Sequence, residues 1–399
     1  MKMRILFVMN NLQCGGAEKS LISLFETLDY TKYEVDLLLF KHDGIFMNRI
    51  PKQVNVLDEP DTYKYFDMSI QEVIKNSIRK GQLGIVWSRL CAGFIFRSEK
   101  NRARCEQRVW KYMSRALLPL DKHYDVAVGY LEKNPVYYCV DKVTASQKIG
   151  FIHNDYDKLG MDPEIDLKYF DQLTDIVTVS TECARVLMQR FPMYTEKIQV
   201  IHNIVSPTMI NNMALDNVDM KSGVRIVSVG RFNDQKGFDM AIEACRKIMD
   251  SGYQITWYIV GEGEEREKLT ALIQQNNLQD IFILLGIKEN PYPYIKAADI
   301  YVQPSRFEGK SIAIDEAKIL HKPILVTNFS TAKDQITHEE NGLIVDMNPE
   351  SIYRGIKALI DDKPLRNQLI NNLKKEVLGT ESEINKLYEL INQRKGVGI

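Results

Sequence analysis

Short apolar runs alternate along this chain with segments whose apolar residues return every three or four positions. RILFVMN (4–10) reads as a strand, and the loop NLQCGGAE follows it. In KSLISLFETL, Leu21, Leu24, Phe25 and Leu28 then fall on one helical face. EVDLLLF (34–40) reads as a strand buried on both faces, as in parallel sheets. Strand character returns at DVAVGY (125–130), KIGFIHND (148–155), DIVTVS (175–180) and IQVIHN (198–203), with a helix over 181–189. A polar linker near Asn211–Gly223 follows. The alternation then becomes regular: strands at 224–230, 255–261, 281–286, 300–303, 323–327 and 342–346 are separated by helices at 239–249, 264–276, 293–298 and 310–320. Strict alternation predicts parallel, doubly wound sheets.

Residues 62–122 break the pattern. From Lys75 to Lys122 there are twelve Lys or Arg, Lys80 among them, against Glu99, Glu106 and Asp121. Trp87, Phe94, Phe96, Trp110 and Tyr112 are interleaved with them. A basic, aromatic, helical insert suits an anionic membrane surface. Its rival is a solvated helical hairpin covering the sheet. RNA is disfavoured, because no RNA-binding motif accompanies the charge.

A length of 399 residues favours two domains. The net charge of −1 points away from nucleic acid as a general partner. No apolar run approaches the roughly 20 residues of a membrane span, and the N-terminus lacks the pattern of a signal peptide. The six cysteines (Cys14, Cys91, Cys105, Cys139, Cys183, Cys245) have no C-x-x-C spacing, so reduced thiols in a cytoplasmic protein are expected.

The chemistry concentrates in Asp299–Leu320, DIYVQPSRFEGKSIAIDEAKIL. Pro304 closes a strand, Glu308 and Gly309 follow, and a helix from Lys310 to Leu320 carries Glu316. A strand, a loop and a helix N-terminus form a ligand crevice, and N–H groups near Gly309, Lys310 and Ser311 favour an anion. Helical rise would put the two acids roughly 10 Å apart, wide for a glycosidase pair at about 5 to 9.5 Å. GRFNDQKG (230–237) leaves Gly230, Arg231, Lys236 and Gly237 at the end of another strand, where Arg and Lys suit phosphate oxygens.

P-S-x-x-E-G-x-x-x-x-x-x-E-A resembles the E-x7-E motif of retaining glycosyltransferases of family 4, which have the GT-B fold. GRFNDQKG is similar to that family's G-R-x-x-x-x-K-G. The resemblance implies an α/β architecture of two Rossmann-like, doubly wound parallel-sheet domains facing a central cleft. The expected bounds are an acceptor-side domain at 1–205 with the insert at 62–122, and a donor-binding domain at 206–378. Residues 379–399 would hold a C-terminal helix, read over Glu381–Gln393, packing back on the first domain.

The resemblance also assigns roles. Glu308 contacts the donor sugar and Glu316 the ribose hydroxyls, while Arg231 and Lys236 clamp the diphosphate. Gly15 and Gly16 line the cleft, and His153 reaches the transferred sugar, with Asp155 placed to orient it. VGEGEE (260–265) resembles the family's v-G-x-G through Gly261; the missing third glycine and Glu262 disfavour a dinucleotide fold motif. Gly286, Ile287 and Lys288 lie in the loop that reads the nucleobase; Tyr292 and Tyr294 after it are lid or core residues. Two departures stand out. Ile204 replaces the glycine after Asn203 at the hinge, and NFSTAKDQI replaces G-G-x-x-E, with Asp334 standing for the glutamate.

The resulting expectation is a retaining hexosyl- or N-acetylhexosaminyltransferase using a UDP-sugar. Its acceptor would be a glycan or lipid-linked saccharide of the cell envelope, reached from the inner face of the membrane. No metal and no cofactor are expected. The alternatives are a nucleotide-sugar epimerase or a sugar phosphorylase on the same fold, or a non-enzymatic nucleotide-binding scaffold.

Overall fold

The computed structural model describes residues 2–13, 15–66, 68–79 and 83–392. Cys14, Lys80 and Gln393, named above, lie outside the described residues. The chain divides into two compact units. One comprises 1–13, 17–202 and 383–399; the other comprises 14–16 and 203–382.

The first unit is built on a seven-stranded, all-parallel sheet in the order β3-β2-β1-β4-β5-β6-β7. Its strands are β1 (Met3–Met9), β2 (Tyr33–Leu39), β3 (Val54–Val56), β4 (His123–Gly129), β5 (Thr144–Ile152), β6 (Asp175–Thr178) and β7 (Ile198–Val200). Sequence pattern missed β3, whose three residues are too few to show a period. The helices are α1 (Gly16–Thr27), α2 (Ile70–Arg79), α3 (Leu83–Ser98), α4 (Arg102–Ala116), α5 (Asn134–Lys142), α6 (Tyr156–Leu159), α7 (Pro163–Phe170) and α8 (Thr181–Arg190).

Helices α2–α4 occupy the stretch between β3 and β4. Trp110, counted above among the aromatics of an insert suited to a membrane surface, is instead fully buried. Its ring packs near Phe40, Tyr137 and Tyr138, and its Nε1 donates to Asp141 at 2.9 Å. Position explains this: Ala103, Val109, Trp110 and Met113 share the core face of α4. Gln107 anchors the same face. Its amide donates to Asp166 on α7 at 2.8 Å, and the hydroxyls of Tyr137 and Tyr156 donate to the same carboxylate. Burial pushes the Asp166 carboxyl up to about 7, against those donors.

The C-terminal helix α16 (Ile384–Asn392) also belongs to this unit. The Tyr388 ring stacks on Tyr33, its hydroxyl accepts from the Asp29 N–H at 2.8 Å, and Gln147 donates to the Leu390 carbonyl. Ile384, Leu387 and Ile391 are buried.

The second unit has six parallel strands in the order β10-β9-β8-β11-β12-β13. They are β8 (Val224–Val229), β9 (Ile255–Val260), β10 (Phe282–Gly286), β11 (Ile300–Gln303), β12 (Ile324–Thr327) and β13 (Leu343–Val345). Helices α9 (Pro207–Met213), α12 (Tyr292–Ala297) and α13 (Ile312–Ile319) cover one face. The other is covered by α10 (Phe238–Asp250), α11 (Arg266–Gln275), α14 (Pro349–Asp361) and α15 (Lys363–Leu373). Burial on both faces explains the unbroken apolar run of β9. In this strand order the switch point falls between β8 and β11, at whose carboxyl ends ligands of open α/β sheets bind.

Candidate functional site

The two motif-bearing loops flank that switch point. After β8, the Gly230 N–H donates to the Val260 carbonyl and the Phe232 N–H to the Glu262 carbonyl. This stitches the GRFNDQKG loop to VGEG. Gly261 has to be glycine: its φ is +154°, and a Cβ there would lie 1.9 Å from the Gly230 oxygen. Glu262 forms an ion pair with Arg266. A short turn over Asp234–Lys236 ends at Gly237, whose φ is +64° and whose Cβ would meet the Pro304 carbonyl oxygen at 2.1 Å. The close approach brings the β8 loop against the β11 loop.

There Lys236 Nζ meets Glu308 Oε1 at 2.5 Å. The same oxygen accepts from Ser305 Oγ at 2.7 Å and Gln303 Nε2 at 3.2 Å. The Tyr301 hydroxyl holds Gln303 at 2.6 Å. Gln235 donates to the Phe307 carbonyl, and the Arg306 guanidinium grips Asp239 at 2.9 and 2.6 Å. Glu308 is 5% exposed, so a carboxylate here needs these donors. Arg231 is exposed at the start of the loop.

Glu316 sits on the inner face of α13, 1% exposed, and accepts from the Tyr292 hydroxyl at 3.2 Å. Tyr292 is therefore a core residue, while Tyr294 is half-buried with Lys288 Nζ 5.9 Å from its ring centre. Gly286 adopts a φ of +75° at the end of β10, and Ile287 beside it is exposed.

Three expectations need correcting. Helix α13 begins at Ile312, so Glu308 lies in the loop and the helical-rise spacing of the two acids does not apply. The Ser311 N–H is not available to an anion, because it donates to Gln335 Oε1 at 2.9 Å. And it is Gln335, buried, that reaches this helix start, donating also to the Ser311 carbonyl and to Asp315, while Asp334 faces solvent. Asp334 ends the 3-10 turn Ala332–Asp334 on its exposed side, and Gln335, which follows the turn, is buried. Lys310 is largely buried, its Nζ 3.9 Å from Asp315.

In the first unit, His153 directly follows β5 and is 7% exposed. Its ring packs on Tyr130 and Phe151 at 5.0 and 5.8 Å. Burial drives the imidazole down to about 4, partly offset by the nearby Glu132 carboxylate. Asp155 caps α6 instead, accepting from the Asp157 and Lys158 N–H groups. The charge nearest the His153 ring is Glu132, which accepts the main-chain N–H of His153 at 3.0 Å and the Asn154 side-chain amide at 2.9 Å. No sequence signal singled out Glu132, Gln303 or Gln335, and Ser305 stood in the P-S-x-x-E-G motif with no role assigned to it. Gly16 opens α1. Among the described residues no group of three or more His, Cys, Asp or Glu is arranged to hold a metal ion.

Residues 219–376 match the profile of the glycosyl transferases group 1 family. This stretch is a group 1 glycosyltransferase domain. It contains every residue of the Lys236–Glu308 network and Glu316. A Campylobacter jejuni relative, N-acetylgalactosamine-N,N'-diacetylbacillosaminyl-diphospho-undecaprenol 4-alpha-N-acetylgalactosaminyltransferase, is 30% identical over 190 residues, 47% of this chain and 51% of that protein. The amylovoran biosynthesis glycosyltransferase AmsK of Erwinia amylovora is 30% identical over 173 residues, 41% of each. The chain thus spans about half the length of the relatives it matches. Among solved structures, S. aureus TarM, in complex with fondaparinux, alpha-GlcNAc-glycerol and UDP, superposes with a TM-score of 0.68 at 14% identity. The alignment covers 98% of this chain and 100% of that one. Anabaena HepE, in complex with UDP and glucose, gives 0.68 at 17% identity with the same coverage. At such identities the likeness concerns the fold, which is GT-B: two Rossmann-like parallel-sheet units, the second carrying the group 1 domain.

Proposed function

We propose that this protein is a retaining glycosyltransferase that moves a hexosyl or N-acetylhexosaminyl group from a UDP-sugar to a glycan or lipid-linked saccharide in cell-envelope polysaccharide synthesis. The observation that carries the reading is the Lys236–Glu308 pair, with Arg231 on the same loop as Lys236, at the switch point of a group 1 domain. In the proposed reaction the anomeric carbon–oxygen bond to the diphosphate breaks on the face where the acceptor oxygen bonds. The acceptor proton passes to the departing phosphate oxygen. Arg231 and Lys236 stabilise the negative charge that develops there, Glu308 holds the sugar, and Glu316 holds the ribose. With two cations assigned to the phosphates, the reading needs neither metal nor cofactor. The names of the two relatives, one built on a diphospho-undecaprenol saccharide and one on amylovoran biosynthesis, support an envelope acceptor. No helix among the described residues is long and apolar enough to cross a membrane. On this reading a lipid-linked acceptor is met at the inner membrane surface.

The test incubates the protein with a panel of UDP-sugars, chelator and candidate acceptors, and follows the anomeric signal by NMR. Transfer with the donor's anomeric configuration preserved is expected. An inverted product overturns the retaining mechanism. An isomerised donor without acceptor points to an epimerase. Sugar 1-phosphate formed from a glycan and free phosphate points to a phosphorylase. UDP binding without transfer or hydrolysis leaves a scaffold.

A further inference from the structure

Helix α3 turns an apolar stripe to solvent. Trp87, Leu90 and Phe94, at spacings of three and four, are 56%, 47% and 73% exposed, while Ile85, Ser88 and Ala92 on the opposite side are buried. Phe96, also exposed, lies two residues past Phe94 and so off the stripe. Trp87 leads onto α4: its ring is 5.8 Å from Tyr112, and the Arg115 guanidinium sits 5.8 Å over Tyr112. Tyr112 and Arg115 in turn line an open groove of about 810 Å³ between α4, the end of α5 and α7. Five cationic side chains line that groove against two acidic ones, Asp141 and Glu164. Asp141 is already engaged by Trp110 and Lys168. Among the described residues Lys111, Arg115 and Lys142 have no carboxylate partner, whereas Arg102, Arg104 and Arg108 are tied to Glu106, the Gly160 carbonyl and Glu99. The uncommitted charge is thus on the α4–α5 side of the unit. Lys142, outside the insert in sequence, joins it in space, and Lys168, paired with Asp141, lines the same groove.

We propose that this face docks on an anionic lipid bilayer, with Trp87, Leu90 and Phe94 entering the interface and the groove cations reaching lipid phosphates. An aromatic stripe bordered by unpaired Lys and Arg is complementary to a surface that is apolar inside and anionic at its rim. RNA offers no apolar layer for Leu90 and Phe94, and a second copy of this chain would bring the same cations together. The proposal deepens the membrane-side reading above, yet stands on residues of the first unit alone.

The three tryptophans make the test direct, because Trp110 and Trp257 are fully buried and Trp87 is not. Vesicles of phosphatidylglycerol with phosphatidylcholine should shift tryptophan emission to the blue, and bromine-labelled acyl chains should quench it. The response should vanish in Trp87→Phe, reverse as salt rises, and be weak with phosphatidylcholine alone. Each basic side chain is worth roughly fivefold in partitioning, so Lys111→Glu with Arg115→Glu should weaken vesicle binding by on the order of a hundredfold or more. UDP binding, measured on the same samples, controls for folding. Failure to bind anionic vesicles at low salt, or binding with Trp87 emission unchanged, overturns the proposal. So does a dimer in sedimentation velocity that takes Trp87 out of solvent. Vesicle binding without UDP binding would instead fault the donor reading and leave this surface in place.

Discussion

The ammonium of Lys236 lies 2.5 Å from the carboxylate of Glu308, across two loops that are 72 residues apart in sequence. The cation assigned to the leaving group and the acid assigned to the sugar are thus direct partners. Glu308 keeps Lys236 extended along Gly230, where a Cβ would lie 3.0 Å from its Cδ.

Because the two side chains depend on each other, their substitutions should not add. Lys236→Ala leaves a buried carboxylate without its cation, and Glu308→Gln leaves the cation without its anchor. Each single change should lower kcat by 10²-fold or more, and the double variant by much less than the product of the two. Strict additivity in a double-mutant cycle on UDP-sugar turnover would mean that the pair does not act as a unit.

Arg231 is exposed, so its removal should spare folding and act on catalysis. Arg231→Ala is expected to reduce kcat by about 10²-fold, with Tm within about 2 °C of the parent. Arg231→Lys should recover only part of the activity, since an ammonium lacks the planar fork. Steady-state rates beside a melting curve decide it.

Glu316 and Tyr292 should read out in nucleotide affinity. Glu316→Gln is expected to weaken UDP binding by roughly tenfold, having lost a charged acceptor for ribose hydroxyls. Tyr292→Phe removes only the 3.2 Å hydroxyl contact and should cost a few-fold. Isothermal titration with UDP separates these from Glu308 variants, whose UDP affinity should stay near that of the parent.

Gln335 carries a structural load at the start of α13 that nothing in the sequence marked. Gln335→Ala strands the Ser311 N–H and carbonyl in a buried site and should destabilise the second unit by about 1–3 kcal/mol. Asp334→Ala, on the solvent side, should change stability by no more than about 0.5 kcal/mol. Urea unfolding of the two variants reports the difference.

The buried imidazole of His153 gives a pH signature. Burial lowers its folded pKa to about 4 from 6.5, so the unfolded chain takes up the proton first as pH falls. The stability linked to neutral His153 is fully present above about 6.5 and is lost as pH falls toward 4. The parent's Tm should therefore drop more steeply than that of His153→Gln over this window. Parallel curves would show that the imidazole is not held neutral by folding.

The sequence determined the periodic elements and the loop chemistry, because both are written locally. Alternation of unbroken apolar strands with helices implied two parallel sheets, and glycine placement in GRFNDQKG and VGEG marked where backbones approach. Tertiary structure decided what depends on contacts far apart in the chain. The periodicity of α4 did not say that Trp110 faces Phe40 rather than water. The resemblance pointed to Asp334, but only folding showed that its neighbour Gln335 is the one bonded to the start of α13. Glu132 beside His153, and Lys142 and Lys168 beside Lys111, are brought together only by folding. Spacing along a strand or helix fixes direction within that element; which element lies opposite is fixed by the burial of all of them together.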